Sequence, residues 1–182
     1  VFDLGTILFI YLIARRLYRH ARLGLLAAGF SALAVLQIQL SHYFTVDNFA
    51  NFFTYGALLT AVHIATSRTF SPVDKLKEKR WKNAPDWLTT GWRSAWLYAL
   101  FGLLYGMALA SKVSIWALAA LLPLAAWIYY KNLHEEEKAA ALPVLIRNLA
   151  LAGVIAFVSF RVFQPYAFSG PGFFGLKLNP NW

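Results

Sequence analysis

The sequence predicts an all-α fold, a polytopic transmembrane bundle of about six helices with a short amphipathic helix in one inner loop. Composition is the first reason: the 182 residues are 59% hydrophobic and 14% charged, whereas soluble domains average about 45–50% and about 25%. The second reason is a series of long apolar runs, because about 20 apolar residues cross a bilayer as one helix. We therefore treat residues 1–182 as a single transmembrane domain.

The apolar runs define the expected helices in chain order. The first run starts at the beginning of the chain with no initiator Met before it, so we expect this sequence to be part of a longer membrane protein. The later runs have the length of a membrane span, some at the short end of the range. The predicted helices cover residues 2–14, 23–41, 48–66, 94–111, 113–130 and 146–163.

Basic residues cluster in alternate loops, and this alternation predicts the orientation of a multi-pass protein in the cell membrane. The first, third and fifth connections are rich in Lys and Arg, whereas the second, residues 42–47, has neither. By the positive-inside rule the basic loops are cytoplasmic. The second connection and the C-terminal segment 164–182 then face the extracytoplasmic side. The net charge of +9 thus reflects topology and does not indicate a nucleic-acid partner.

The inner loop, residues 67–93, carries signals for a short interfacial helix. Ser71, Pro72 and Asp74 form an N-cap, a first helical position and an acidic first turn. Trp residues in this loop are typical of anchors at a membrane interface. An amphipathic connector on the membrane is the simpler interpretation, and a lipid-regulated site is the alternative.

Asp47 is the first candidate for chemistry. It begins the third predicted helix on the outward-facing side, where a carboxylate caps backbone N–H groups and suits the positive end of the helix dipole. The catalytic alternative adds Asn51 and Tyr55, which follow at i+4 and i+8 and share its face. His42 approaches from the preceding turn. These residues predict a polar strip that enters the membrane from outside.

Two cations follow on the same predicted side. Lys112 lies at the tip of the hairpin between the fourth and fifth helices, where a Lys can snorkel to the interface or hold an anion. Arg161 lies near the outer end of the sixth helix and is expected to point into the bundle or a water-filled groove. Its fork geometry suits a phosphate. His63, deeper in the third helix, is interpreted as a satisfied interior histidine.

Gly102 and Gly106 have the small-xxx-small spacing that lets a neighbouring helix approach closely. After the sixth helix, the turn-rich stretch "QPYAFSGPGFFGLKLNPNW" either lies on the interface or packs over a lipid or sugar groove. Gln164 and Tyr166 lie at its start and complete the candidate substrate-binding residues.

Motifs for metals and nucleotides are weak here. The chain has no Cys, no P-loop and no dinucleotide fingerprint. His42 and Asp47 alone do not define a metal site, so no metal ligand set is predicted, although a divalent cation stays open. No other cofactor is expected.

Three stretches in this order carry a family resemblance: "LIARRLYRHARLGLLAAGFSAL", "SHYFTVDNFANFFTYGALL" and "GLLYGMALASKVSIWALAALLPL". A helix ending in basic residues precedes an Ala-rich helix, an outer turn with Asp and a Phe-rich helix, and later a Gly/Ala-rich helix with a Lys-Ser turn. The chain resembles membrane glycosyltransferases of the GT-C class, family 39 type, which includes protein O-mannosyltransferases and aminoarabinose transferases.

The resemblance implies transfer of a sugar from a polyprenyl-phosphate donor to an acceptor on the extracytoplasmic face. It implies that Asp47 is the acid of the second outer loop, which orients the acceptor or a cation. Lys112 and Arg161 become candidates for the departing lipid phosphate. The main catalytic carboxylate is then expected in a first outer loop that precedes Val1. The implied partners are the donor, membrane lipid and the rest of the full-length chain.

Two alternatives from other classes stay open. A secondary transporter or flippase would contain discontinuous helices and inverted repeats. A non-catalytic membrane subunit would place Asp47, Lys112 and Arg161 in unrelated directions. Whether these three side chains converge on one outer groove separates the hypotheses.

Overall fold

The computed structural model describes residues 1–43, 45–67, 92–169, 175 and 177–179, and these form an all-α bundle, as predicted. The predicted inner-loop helix within 67–93, and much of the segment after residue 169, lie outside the described residues. The helices are α1 (Phe2–Tyr18), α2 (Ala21–Ala32), α3 (Val35–Tyr43), α4 (Val46–Ala65), α5 (Trp92–Ser111), a 3₁₀ helix (Val113–Ala120), α6 (Leu121–Lys131) and α7 (Glu135–Phe163). A 3₁₀ turn (Pro165–Ala167) follows, and strands β1 (Phe168–Ser169) and β2 (Lys177–Leu178) pair antiparallel.

The second predicted helix, residues 23–41, is wrong as a single element. The helix stops after Ala32, where the N–H of the C-cap residue Leu33 donates to the carbonyl oxygen of Gly29 and the N–H of Ala34 donates to that of Ser31. A new helix, α3, begins at Val35. The apolar run is continuous through this break, so hydropathy alone does not reveal it.

The fifth predicted helix, residues 113–130, also has two parts. Its first eight residues form a 3₁₀ helix, and only Leu121–Lys131 is α-helical. Runs of 3₁₀ helix longer than three or four residues are uncommon. This one receives a bond from outside, because the Tyr105 hydroxyl of α5 donates to the carbonyl oxygen of Trp116 at 2.8 Å.

The sixth helix begins earlier than predicted, at Glu135 instead of residue 146. Three Glu residues occupy its first turn, where they suit the positive end of the helix dipole. At 29 residues it is about 44 Å long, longer than the hydrocarbon core of about 30 Å. The apolar run identifies the part suited to lipid, whereas the helix continues through the charged stretch before it.

Contacts between helices define their directions. Phe2 packs on Phe49 and Phe9 on Phe52, with ring centroids 4.5 and 5.0 Å apart, so α1 and α4 run parallel. Helices α4 and α5 run antiparallel, because Asp47 at the start of α4 bonds to Lys112, which follows the end of α5.

Helices α5 and α7 run parallel. The side chain of Asn148 lies 3.4 Å from that of Ser94 near the start of α5, and the hydroxyl of Ser159 donates to the Leu103 carbonyl at 3.1 Å farther along. Two ends of the bundle follow from these directions. The Asp47 end comprises the start of α1, the α3–α4 turn, the residues after α5 and the end of α7. The Arg16 end comprises the end of α1, the end of α4 and the α6–α7 turn.

Glycines bring α5 and α7 together, as their spacing predicts. A Cβ on Gly102 would overlap the carbonyl group of Ala152, and one on Gly106 would lie 2.5 Å from the Ala156 carbonyl oxygen. The partner of this face is α7, and the 3₁₀ helix and α6 lie between the two helices in the chain. The contact fixes the position of α5, and so of the residue that follows it.

The outer surface of the bundle is apolar. Large side chains such as Phe30, Leu33 and Trp116 are exposed over 76%, 77% and 69% of their area, which is typical of a surface that contacts lipid or a partner. Three described segments are long and apolar enough to cross a membrane: Ser94–Ser111, Val113–Lys131 and Glu135–Phe163. The structure is therefore consistent with a membrane protein.

Candidate functional site

Asp47 lies in the first turn of α4, two residues after the N-cap position. The N-cap position belongs to Thr45, so the prediction that Asp47 itself caps the helix is wrong by two residues. The electrostatic part of that interpretation stands, since a carboxylate in the first turn still faces the positive end of the dipole. The side chain is 31% exposed and is therefore reachable from outside the bundle.

Lys112 reaches Asp47 across the bundle. Its backbone leaves α5 in an extended conformation, φ −154° and ψ 108°, and begins the 3₁₀ helix. Its Nζ donates to Oδ1 of Asp47 at 2.6 Å, although the two residues are 65 positions apart in the chain. The hairpin tip and the start of α4 thus meet at one point.

The exposure of this ion pair bears on what it does. The side chain of Lys112 is 48% exposed, and ion pairs that contact solvent contribute only about 0–1 kcal/mol to stability. Stabilisation alone is a weak reason for the contact. A carboxylate next to an ammonium group also offers a hydrogen-bond acceptor and a cation to the same small ligand.

Arg161 lies at the same end but is turned toward the C-terminal segment. It is buried, with 7% of its area exposed. Its Nη1 donates to the carbonyl oxygen of Pro165 at 3.4 Å, and its guanidinium carbon lies 5.0 Å from the centre of the Phe168 ring. The interior position predicted for Arg161 is observed. The structure joins Asp47 and Lys112 directly and places Arg161 behind the segment that follows α7.

The other predicted substrate-binding residues surround this end at different depths. His42 is exposed in the last turn of α3, with its ring 6.5 Å from that of Tyr43. Asn51 lies one turn into α4 and is half-buried. Gln164 is the C-cap of α7, and Tyr166 is 79% exposed. They share the end with Asp47.

Two polar residues at this end are absent from the sequence-based set. Asp3 is in the first turn of α1 and, because α1 and α4 run parallel, lies about level with Ala50 of α4. Asn48 is buried in α4 with 3% of its area exposed. The apolar run that contains Asp3 does not reveal that this residue lies beside α4, since that depends on how α1 packs.

His63 fits its predicted interior role, because its Nδ1 lies 3.0 Å from the carbonyl oxygen of Leu59, one turn earlier in α4. Among the residues that the structure describes, no group of three or more His, Asp or Glu side chains is placed to hold a metal ion.

Comparisons of the chain with protein-family models, with characterised proteins and with solved structures found no match. Any functional conclusion therefore depends on the geometry of the site and on the resemblance of the three sequence stretches.

Proposed function

We propose that this chain is part of an integral-membrane glycosyltransferase that moves a sugar from a polyprenyl-phosphate donor to an acceptor at the Asp47 end. One observation carries the proposal: Asp47 and Lys112, from different helical hairpins, meet at 2.6 Å at the end of the bundle opposite the Arg-rich one. In a non-catalytic subunit the pair would only link two helices, and an exposed ion pair contributes little in that role.

The chemistry requires the two charges close together. The acceptor hydroxyl forms a bond to the anomeric carbon of the sugar while the bond from that carbon to the phosphate oxygen breaks. The electron pair leaves on the phosphate, and the hydroxyl proton passes to a carboxylate. Asp47 accepts the hydrogen bond of the acceptor and orients it, and Lys112 stabilises the charge that develops on the departing phosphate.

Arg161 has a supporting role in this proposal. Because its guanidinium contacts the Pro165 carbonyl and the Phe168 ring, it holds the segment that begins at Gln164 against the end of α7. A rearrangement of that segment would also let the Arg161 guanidinium approach the departing phosphate. No metal is needed for either role, and a divalent cation bound by Asp47 stays a prediction.

Orientation is part of the proposal: the Asp47 end faces the extracytoplasmic side of a multi-pass protein, and the Arg16 end faces the cytoplasm. Residues 1–182 contain no Cys, so each Cys introduced here adds one labelling site of known position. In intact cells, a membrane-impermeant thiol reagent should label Tyr166→Cys and should label Arg22→Cys only after permeabilisation. Labelling of Arg22→Cys alone in intact cells would reverse the assignment.

Sugar transfer by the full-length protein in proteoliposomes tests the function. With a polyprenyl-phosphate sugar as donor, Asp47→Asn should lower the transfer rate by about 100-fold, since a misplaced acceptor costs on the order of 10²-fold in rate. Glu135→Gln is the matched control, because it removes one charge from the Lys138–Glu135 pair at the opposite end. Its rate should match that of the unmodified protein. Equal rates for both variants would exclude Asp47 from the chemistry.

A further inference from the structure

A second polar site lies at the Arg16 end, between α1 and α4. It is a cavity of about 740 Å³, within the usual size range of ligand pockets. Its polar lining consists of Arg15, Arg16, Arg19, His63, Thr66 and Ser67. The 20-residue helix α4 separates it from Asp47 by about 28 Å along the helix axis, so this cavity is distinct from the site described above.

The charge of the lining has one sign. Three arginines line the cavity, and none of its described lining residues is acidic. Cations do suit the last turn of a helix, where they complement the negative end of the dipole. That effect extends over one turn and accounts for basic residues at the end of α1, but it does not account for a cavity of this size beside them.

One of the three arginines is held in place by a short chain of hydrogen bonds. Nε of Arg16 donates to Oγ1 of Thr66 at 2.9 Å, and the Thr66 hydroxyl donates to the carbonyl oxygen of Val62 at 2.7 Å. The Thr hydroxyl is neutral, so it orients the guanidinium without cancelling its charge. The terminal N–H groups of Arg16 then suit a bidentate contact with an anion.

Arg19 is held in an unfavourable backbone conformation. It is the C-cap of α1 with φ 56° and ψ 21°, and it is the one described non-glycine residue with positive φ. Glycine is the usual residue at such a position, because a Cβ there raises the energy. Strained residues of this kind cluster at ligand sites, and Arg19 lines this cavity.

We propose that this cavity binds a phosphate group, and specifically the headgroup phosphate of an anionic membrane lipid. Guanidinium groups bind phosphate through paired N–H bonds, and basic pockets between helices on the cytoplasmic side hold anionic headgroups. Leu12 and Leu17 supply an apolar portion of the lining, which suits the start of the acyl chains. A free phosphate would share the cationic contacts and would gain nothing from the two leucines.

Lipid binding to the purified full-length protein tests the proposal. Native mass spectrometry would measure dissociation constants for phosphatidylglycerol and for phosphatidylcholine, with inorganic phosphate as a third ligand and as a competitor. We expect phosphatidylglycerol to bind more tightly than phosphatidylcholine. Arg19→Gly should weaken phosphatidylglycerol about five-fold and the double variant Arg15→Gln/Arg19→Gly about 25-fold, since each basic residue near an anionic headgroup contributes about a factor of five.

Two features keep the test decisive. Arg22→Gln is the matched control, because Arg22 lies at the same end but does not line the cavity; its affinity should stay within about two-fold. Arg19→Gly relieves the positive φ, so its Tm should be unchanged or higher while its affinity falls, and poor folding cannot imitate that pair of results.

Two results would overturn the proposal: equal binding of the two lipids, or equal weakening by Arg22→Gln and Arg19→Gly. Inorganic phosphate that bound as tightly as phosphatidylglycerol would keep the phosphate chemistry and overturn its assignment to a lipid.

Discussion

The contact between α5 and α7 makes a quantitative prediction at Gly106. A Cβ added there would lie 2.5 Å from the carbonyl oxygen of Ala156 and 2.6 Å from Cβ of Ser159. Ordinary contacts begin at 3.4 Å, so α7 would have to move away by about 0.9 Å. Both neighbours belong to the backbone or to its first side-chain atom and have no freedom to turn aside.

The energies give the expected size of the effect. Overpacking of a close contact costs about 1–3 kcal/mol, and the moved helix would also strain the bond from Ser159 to the Leu103 carbonyl. Replacing Gly by Ala inside a helix offsets about 1 kcal/mol of that cost. Gly106→Ala should therefore destabilise the protein by up to about 2 kcal/mol, equivalent to a fall in Tm of up to roughly 8 °C for a domain of this size.

Gly153→Ala in α7 is the matched control, because nothing lies within 4 Å of its added Cβ. Gly153 borders an apolar cavity of about 230 Å³, so the methyl group has space and the helix-forming advantage of Ala remains. Its Tm should rise or stay constant. Tryptophan fluorescence during thermal unfolding in a mild detergent would measure both variants. Equal Tm values for the two would refute the close packing of α5 on α7.

Two further predictions concern the polar contacts near the Asp47 end. Tyr105→Phe removes the hydroxyl that donates to the Trp116 carbonyl at 2.8 Å, and should lower the free energy of unfolding by about 1 kcal/mol; an unchanged value would show that this bond does not stabilise the 3₁₀ helix. Arg161→Gln removes the contact with the Phe168 ring, so limited proteolysis should cut the segment after α7 several-fold faster while the helix content by circular dichroism stays the same. Slower or equal cleavage would contradict the supporting role of Arg161.

Element type and order follow from the sequence because each apolar run is long enough to form a helix and the alternative structures leave backbone groups unsatisfied in lipid. The boundaries are less predictable. No Gly or Pro marks the break after Ala32, and the charged residues from Glu135 onward form a regular helix although they are unsuited to lipid. Hydropathy reports the solvent around a segment, and hydrogen bonding decides where the helix ends.

The site is predictable in part for the same reason. Alternating basic loops place Asp47 and Lys112 at one end of the bundle, and the structure has them at one end. Which cation reaches Asp47 depends on the order of helices around the bundle, and that order depends on contacts such as Gly106 with Ser159. The cavity at the Arg16 end is not predictable from the sequence for a similar reason. Arg19 and Thr66 come together only when α1 packs on α4.

The most direct measurement for the central claim exchanges the two charges at the Asp47 end. Asp47→Lys and Lys112→Asp, singly and together, would be assayed for transfer from a polyprenyl-phosphate sugar and for Tm in the full-length protein. If the pair binds acceptor and phosphate, all three variants lose transfer by at least about 100-fold, even though the double variant restores an ion pair and with it the Tm. Recovery of transfer in the double variant would contradict the account and would leave the pair as a structural link between two helices.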